Sequence, residues 1–246
     1  MIATDAIARA VVGASADTGI RAKLETYVAL LLERNAATNL TAARDPEAVM
    51  AHVRDSLGLA AFVRAPHVDI GSGGGFPAIP LAIATGVPMT LVESIAKKAA
   101  FLRDVAAELE LDVRVVCDRA EDVGRDPAFR ERFASGTGRA VAGATTVLEM
   151  LVPLLAVGGV ALLQRGRSSA AERAAVADAV LVLGASLESE RVVTDDGVGD
   201  APPSEDDGRR LLLIRKTHPT GPRFPRRAGI PAKRPLCVGG PPERHG

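Results

Sequence analysis

The chain has 246 residues, of which 47% are hydrophobic and 24% charged, enough apolar material for one sizeable α/β domain and too much for an intrinsically disordered protein. Thirty basic side chains balance thirty acidic ones, which excludes a whole-chain polycation of the kind that binds nucleic acid nonspecifically. Two cysteines, Cys117 and Cys237, are too few for a disulfide framework and lack the paired spacing of a zinc site, so no metal centre is expected.

Residues 20–34 place Leu24, Val28, Leu31 and Leu32 at helical spacing, which predicts an amphipathic helix. Asp45 followed by Pro46 and Glu47 reads as a helix start, acid as cap and proline in the first turn, leading into a helix through residue 59 with His52 and Ser56 on one face. Residues 1–64 are therefore expected to form a helical extension packed on the core. Beyond Pro66 short apolar runs alternate with helical stretches: strands over 67–70, 89–92 and 113–116, helices over 78–84 and 95–109. Such alternation predicts an α/β fold, a mostly parallel sheet flanked by helices, over residues 65–236. A helix over 150–156, a strand over 159–164, a helix over 168–183 and two final strands over 187–193 and 211–215 complete it. Those two strands are expected to pair antiparallel, joined by the acidic Gly- and Pro-containing loop 195–208. Residues 237–246 are expected to be a disordered tail. The N-terminus lacks a basic segment before an apolar core, and no apolar run reaches the roughly 18 to 20 residues of a membrane span. A soluble, unprocessed, cytoplasmic protein without a membrane partner is expected.

The strongest local signal is Val68-Asp69-Ile70-Gly71-Ser72-Gly73-Gly74-Gly75-Phe76-Pro77, a strand that runs through four glycines into a helix. Glycines let the backbone approach a ligand closely, and the helix start offers unpaired N–H groups. Phe76 stands where the dinucleotide fingerprint needs its third glycine, and no Lys-Ser or Lys-Thr follows, so NAD and a P-loop phosphate are both disfavoured. Asp69 would repel a pyrophosphate but suits a cationic cofactor. Glu93, at the end of the next strand and 22 residues beyond Gly71, can accept hydrogen bonds from both ribose hydroxyls. Asp69, Gly71, Gly73 and Glu93 together describe the S-adenosyl-L-methionine site of Rossmann-like methyltransferases. The plainer alternatives are a carboxylate that caps its own turn and a solvated strand end.

Charge is unevenly spread. From Arg209 onward ten Lys or Arg face one acid, Glu243, which leaves twenty basic and twenty-nine acidic groups in residues 1–208. A basic segment of this kind is either a solvated extension or an RNA-docking arm. Phe224 among Arg223, Arg226 and Arg227 favours RNA, because phosphate contact and base stacking use those residue types together.

Several separated motifs carry a more specific likeness: Asn39-Leu40-Thr41 with Arg44-Asp45-Pro46; His52 with Asp55-Ser56-Leu57; Asp69 through Pro80; Glu93-Ser94 followed by Lys97-Lys98 and Phe101-Leu102; Arg119-Ala120-Glu121-Asp122; Arg139-Ala140-Val141-Ala142; and Lys216 onward through Phe224-Pro225-Arg226-Arg227, Gly229, Pro231, Lys233 and Pro235. In this ordered set, over residues 20–236, the chain resembles the bacterial small-subunit (16S) ribosomal RNA guanine-N7 methyltransferases, the RsmG/GidB or glucose-inhibited division protein B family. The resemblance implies a Rossmann-like class I methyltransferase fold and S-adenosyl-L-methionine as cofactor. It also implies 16S ribosomal RNA or the small ribosomal subunit as partner; a monomer is expected. It assigns cofactor binding to Gly71, Phe76, Ala120, Glu121 and Arg139, beside Asp69, Gly73 and Glu93 from the residue chemistry. Lys97, Lys98, Arg165, Arg223, Arg226, Arg227 and Lys233 are expected to meet RNA. Two departures stand out: the glycine-rich 134–138 segment is a weak fourth strand by propensity, and Arg165 replaces a lysine common in the family. Guanine N7 has a free lone pair and no hydrogen, so no catalytic base is expected and the reaction rests on positioning. Two other readings remain open: a methyltransferase for a small molecule or protein, and a binding protein of the same fold with weak or no catalysis.

Overall fold

The computed structural model describes residues 17–139, 143–194, 197–198 and 208–236. Helix α1 (Thr18–Thr38) starts where the Asp17 side chain accepts from the Ile20 amide and ends at Asn39 in the left-handed region, φ 55°. Helix α2 (Pro46–Leu57) has the start its sequence announces, with Asp45 accepting from the Ala48 amide and Pro46 in the first turn. One 3-10 turn (Ala60–Phe62) leads into β1 (His67–Ile70), α3 (Ala78–Thr85), β2 (Met89–Val92), α4 (Ala96–Glu108) and β3 (Val113–Val116). There follow α5 (Ala120–Val123), β4 (Phe133–Gly138), α6 (Ala144–Leu151), β5 (Leu155–Arg165), α7 (Ala170–Val182), β6 (Ala185–Thr194), β7 (Gly197–Val198), β8 (Arg210–Lys216) and α8 (Ile230–Lys233).

The strands form one sheet in the order β3-β2-β1-β4-β5-β8-β6-β7. The first five run parallel, and β8 inserts antiparallel between β5 and β6. The expected antiparallel terminal pair is thus present. The helix expected over 150–156 is displaced: α6 ends at Leu151, a 3-10 turn covers Val152–Leu154, and β5 begins at Leu155. Pro153 supplies no amide to continue the helix, so the apolar run after it extends the strand instead. Of the acidic loop only residues 197–198 and 208 are described; residues 195–196, 199–207 and 237–246, with the disorder expected of the last, lie outside the described residues.

The fourth strand forms in full, despite Gly136 and Gly138, and the side-chain period of two explains it. Ser135 and Thr137 face one side and bond to β1. Gly136 and Gly138 face the other, where α6 packs so close that a Cβ would stand 2.7 Å from Leu151 and 2.8 Å from Val147. Poor strand propensity is outweighed by helix-to-sheet packing that only glycine allows.

Apolar side chains fill both faces. Leu24, Tyr27, Leu31, Met50, Ile79, Leu81 and Phe101 bind α1 to α4 to one face of the sheet, and Val68, Ile70, Leu148, Leu151, Leu163, Val180 and Ile214 fill the other. Beyond β8 the chain doubles back as a docked strap rather than a solvated tail. Arg130 donates to the carbonyls of Phe224 (2.7 Å) and Thr220 (2.6 Å), Arg125 to that of Pro225 (2.8 Å), and Glu121 accepts from the Gly229 amide at 2.8 Å. Lys216, fully buried, anchors its start by donating to Glu131 at 2.8 Å and the Val152 carbonyl at 3.1 Å.

Candidate active site

The site lies at the carboxyl ends of the parallel strands, the position an open α/β sheet offers a ligand. Directly after β1, Gly71, Gly73 and Gly75 take φ of 66°, 55° and 102°, a run of left-handed conformations that side-chain-bearing residues resist. The loop is braced from two sides. Tyr27 of α1 donates its hydroxyl to the Gly74 carbonyl at 2.7 Å, and Glu93, just past β2, accepts from the Gly73 amide at 2.9 Å and the Ile95 amide at 2.8 Å. Burial raises the Tyr27 pKa well above its ordinary value, so the hydroxyl remains a donor. Each Glu93 oxygen has a further lone-pair direction for a ligand hydroxyl.

The Asn39-Leu40-Thr41 motif packs directly beside the loop, the Leu40 carbonyl oxygen 3.2 Å from where a Cβ on Gly74 would stand. Asn35, buried near the end of α1, shapes the motif by donating to the carbonyls of Thr41 (3.0 Å) and Ala43 (2.9 Å) and accepting from the amides of Leu40 (2.7 Å) and Thr41 (3.0 Å). Beside them opens a cavity of about 760 Å³ lined by Leu40, Thr41, His52, Asp55, Gly71, Gly73, Phe76, Glu93, Lys98, Arg139 and Arg165, among others. A smaller cavity of about 190 Å³, lined by Ala120, Glu121 and Asp118, shares Gly71 and Ser94 with it. The two form one trough across β1, β2 and β3, large enough for a nucleoside-sized ligand.

Gly71, Gly73, Phe76, Glu93 and Arg139 therefore converge on the larger cavity, and Ala120 and Glu121 on its neighbour. The glycine-rich fourth strand delivers Arg139 to the trough, its guanidinium 5.0 Å from the Phe76 ring centroid. Phe76 is buried edge-on against Tyr27 at 5.5 Å and tilted against His52 at 5.4 Å, so it serves as the floor beneath the arginine. His52 has its pKa lowered by burial and by Arg139, against the opposing pull of Asp55. Residues 140–142, which complete the Arg139 motif, lie outside the described residues.

Asp69 sits beneath the loop, fully buried. Its Oδ1 lies 2.7 Å from the Thr137 hydroxyl oxygen, while Oδ2 has no hydrogen-bond partner. Burial is the largest cause that pushes its carboxyl up to about 7; the charge of Arg139 opposes the rise and Glu93 adds to it. Glu121 likewise does more than line a pocket: its Oε1 holds Gly229 of the strap.

Among the expected RNA contacts, Lys98 and Arg165 line the trough and Lys97 is exposed on the first turn of α4. Arg223, Arg227 and Lys233 are exposed on the strap. Arg226 is a correction. Its Nε and Nη2 meet the two carboxylate oxygens of fully buried Glu149 at 2.7 and 2.6 Å, and its amide donates to the same group at 2.9 Å. That guanidinium holds the strap to α6. Phe224 is a second correction, since it is 4% exposed and cannot stack on a base. Sequence reasoning also missed Tyr27, Asn35 and Thr137. Tyr27 is the one tyrosine in the chain and Asn35 a polar residue among the apolar positions of α1, which are the signals that could have drawn notice.

A family model described as rRNA small subunit methyltransferase G matches residues 20–196. Curated relatives with that same name include one from Chloroflexus aggregans, 45% identical over 87% of this chain and 90% of its own length. Another, from Desulfitobacterium hafniense, is 40% identical over 87% of this chain and 88% of its own length. Among solved structures, the fold is similar to an O-methyltransferase from Bacillus cereus in complex with SAH, with TM-score 0.53, 19% identity and coverage of 77% of this chain and 91% of that one. It is also similar to a branched-chain polyamine synthase from Thermus thermophilus, with TM-score 0.57, 17% identity and coverage of 82% and 65%.

Proposed function

The chain belongs to the rRNA small subunit methyltransferase G family, and from that membership we propose that it uses S-adenosyl-L-methionine to methylate N7 of one guanine in 16S ribosomal RNA. The observation that carries the reading is the convergence of the glycine loop, Glu93 and Arg139 on one trough in a chain matched to that family over most of its length.

The residues present fit such a cofactor. Asp69 holds a buried oxygen without a partner, Glu93 keeps lone-pair directions for ribose hydroxyls, and the glycine run leaves the backbone open to close approach. Asp69, Gly71, Gly73 and Phe76 would hold the methionine end and Glu93 the ribose. Ala120 and Glu121 would meet the adenine, chiefly through their backbone groups. When bound, S-adenosyl-L-methionine supplies a methyl group on a positively charged sulfur. The protein's part is to hold guanine N7 in line with that methyl, an orientation effect worth up to about 7 to 11 kcal/mol. No proton has to leave N7 beforehand. The modified base gains positive charge, so the Glu93 carboxylate at the trough favours the product, whereas that of Asp55 is paired with Arg209; Arg139 acts by fixing the cofactor or a nearby phosphate rather than by touching N7. Lys97, Lys98, Arg165, Arg223, Arg227 and Lys233 would supply phosphate contacts that set the RNA's register.

Labelled methyl transfer onto small ribosomal subunits from cells lacking the activity, followed by mapping of the modified nucleotide, tests this. One guanine labelled at N7 is the expected result. Label on a small molecule or protein alone, or none at all, would overturn it.

A further inference from the structure

A chain of hydrogen bonds crosses β1 and β4 directly beneath the glycine loop, and donor counting leaves one hydrogen to place, on His67 Nε2 or on Asp69. Ser135 Oγ is 2.7 Å from the Arg64 carbonyl, which can only accept, so the single serine hydrogen is spent there. Its oxygen accepts from the Arg64 amide at 2.8 Å and has one lone pair left, facing His67 Nδ1 at 2.7 Å. His67 Nδ1 must therefore carry a hydrogen. His67 and Asp69 are both fully buried and Asp69 Oδ2 has no hydrogen-bond partner, so an imidazolium–carboxylate pair would strand two charges away from water; the neutral pair is favoured, in line with the lowered His67 pKa, and Nε2 is bare. Thr137 Oγ1, 2.9 Å from Nε2, is then its donor. Thr137 has only one hydrogen, so toward Asp69 Oδ1, at 2.7 Å, it presents a lone pair. Two bare oxygens do not rest at that distance. The hydrogen between them belongs to Asp69.

We propose that His67, acting through Thr137, is a positioning residue that keeps Asp69 as the neutral acid in the free protein, and that entry of positively charged S-adenosyl-L-methionine beside the glycine loop expels that proton. The inference rests on the cofactor reading above. On binding, the Asp69 Oδ1–H bond breaks and the proton passes to the buffer. The Thr137 hydroxyl turns from His67 Nε2 to the new carboxylate. Of the charged and titratable groups around Asp69, Glu93 past β2 disfavours the ionised form and Arg139 past β4 favours it. Tyr27 on α1 has its hydroxyl committed to Gly74, and Ser72 points its own at the Asp69 carbonyl, 3.2 Å away. A histidine without access to solvent, cofactor or substrate thus decides whether the cleft meets an incoming cation with an acid or a carboxylate.

Calorimetric titration of the full-length protein with S-adenosyl-L-methionine, in buffers of different ionisation enthalpy, counts the protons. Close to one proton released per cofactor is expected at pH 6 and close to none at pH 8.5, with affinity rising up to tenfold per pH unit between about 5 and 7. H67F frees the Thr137 hydroxyl for Asp69, so its release at pH 6 should fall below half that of the parent. Should H67F not fold, carbon-13 NMR of the parent, with the Asp69 signal identified by its loss in D69N, decides the matter. A carboxyl titrating near pH 7 in the free protein supports the proposal, and one titrating near 4 overturns it. Binding with no buffer dependence at pH 6 overturns it too, while leaving the cofactor reading intact. Absence of any binding would sink the cofactor reading itself.

Discussion

Arg226 and Glu149 show how a single pair can be misassigned from charge alone. With Glu149 wholly inside the protein, removal of its partner leaves a buried carboxylate uncompensated, which typically costs about 3–5 kcal/mol. R226A is accordingly expected to lower the urea midpoint sharply, and E149Q on top of it to restore part of the loss by removing the stranded charge. Asp69 makes the opposite kind of prediction, one that depends on pH. Its carboxyl titrates near 7 in the folded chain against an ordinary value of 3.8, so the fold favours the acid form. That contribution is whole below about 3.8 and is lost as pH rises through 7. D69N has no such proton to lose. Without cofactor, the variant should gain on the parent by roughly 1 kcal/mol per pH unit across that window, as read from urea unfolding at pH 5 and pH 7.5. A constant difference between the two proteins would refute the buried-acid assignment.

At the scale of elements, β4 is where propensity and structure part company. Phe133-Ala134-Ser135-Gly136-Thr137-Gly138 is poor strand material residue by residue, yet it occupies the centre of the sheet between β1 and β5. Its alternation was in the sequence all along: hydroxyls at 135 and 137, glycines at 136 and 138. What could not be read there was the partner of each face, His67 and Asp69 on one side and α6 on the other. The glycine loop, the caps of α2 and the β1 to β3 framework were legible because each depends on neighbours within a few residues. The roles of Tyr27, Glu121 and Arg226 depend on contacts far along the chain, and no local pattern encodes those. G138A follows from the packing. Its Cβ would meet Val147 at 2.8 Å and Ile70 at 2.9 Å, both in the core, so a loss of about 1–3 kcal/mol is expected. Because Arg139 is the next residue, methyl transfer should fall as well. A G138A protein as stable and active as the parent would show that α6 is not held against β4 as described.

For the molecule as a whole, the balanced total charge hides an acidic body and a basic C-terminal stretch, and the fold brings that stretch back against the body as a strap. Arg223, Arg227 and Lys233 are among its exposed cations. Neutralising all three is expected to reduce the dependence of RNA binding on log salt by about 2, at roughly 0.7 per lost phosphate contact, while cofactor affinity stays unchanged. Equal slopes for parent and variant would remove the strap from the RNA surface. The placement of β8 between β5 and β6 has a consequence in time. As the chain is synthesised, β6 is finished before the strand that joins it to the sheet, and β5 remains an open edge until residues 210–216 exist. Strap contacts come later still, since Arg130 must find Phe224 across 94 residues, a closure that entropy makes slow. Pulsed hydrogen exchange during refolding should protect the amides of β1 and β2 before that of Gly229, and the reverse order would contradict this history. The glycine loop and Glu93 are thus in place first, and the strap that carries Arg223, Arg227 and Lys233 docks only once the last strand has been threaded between its neighbours.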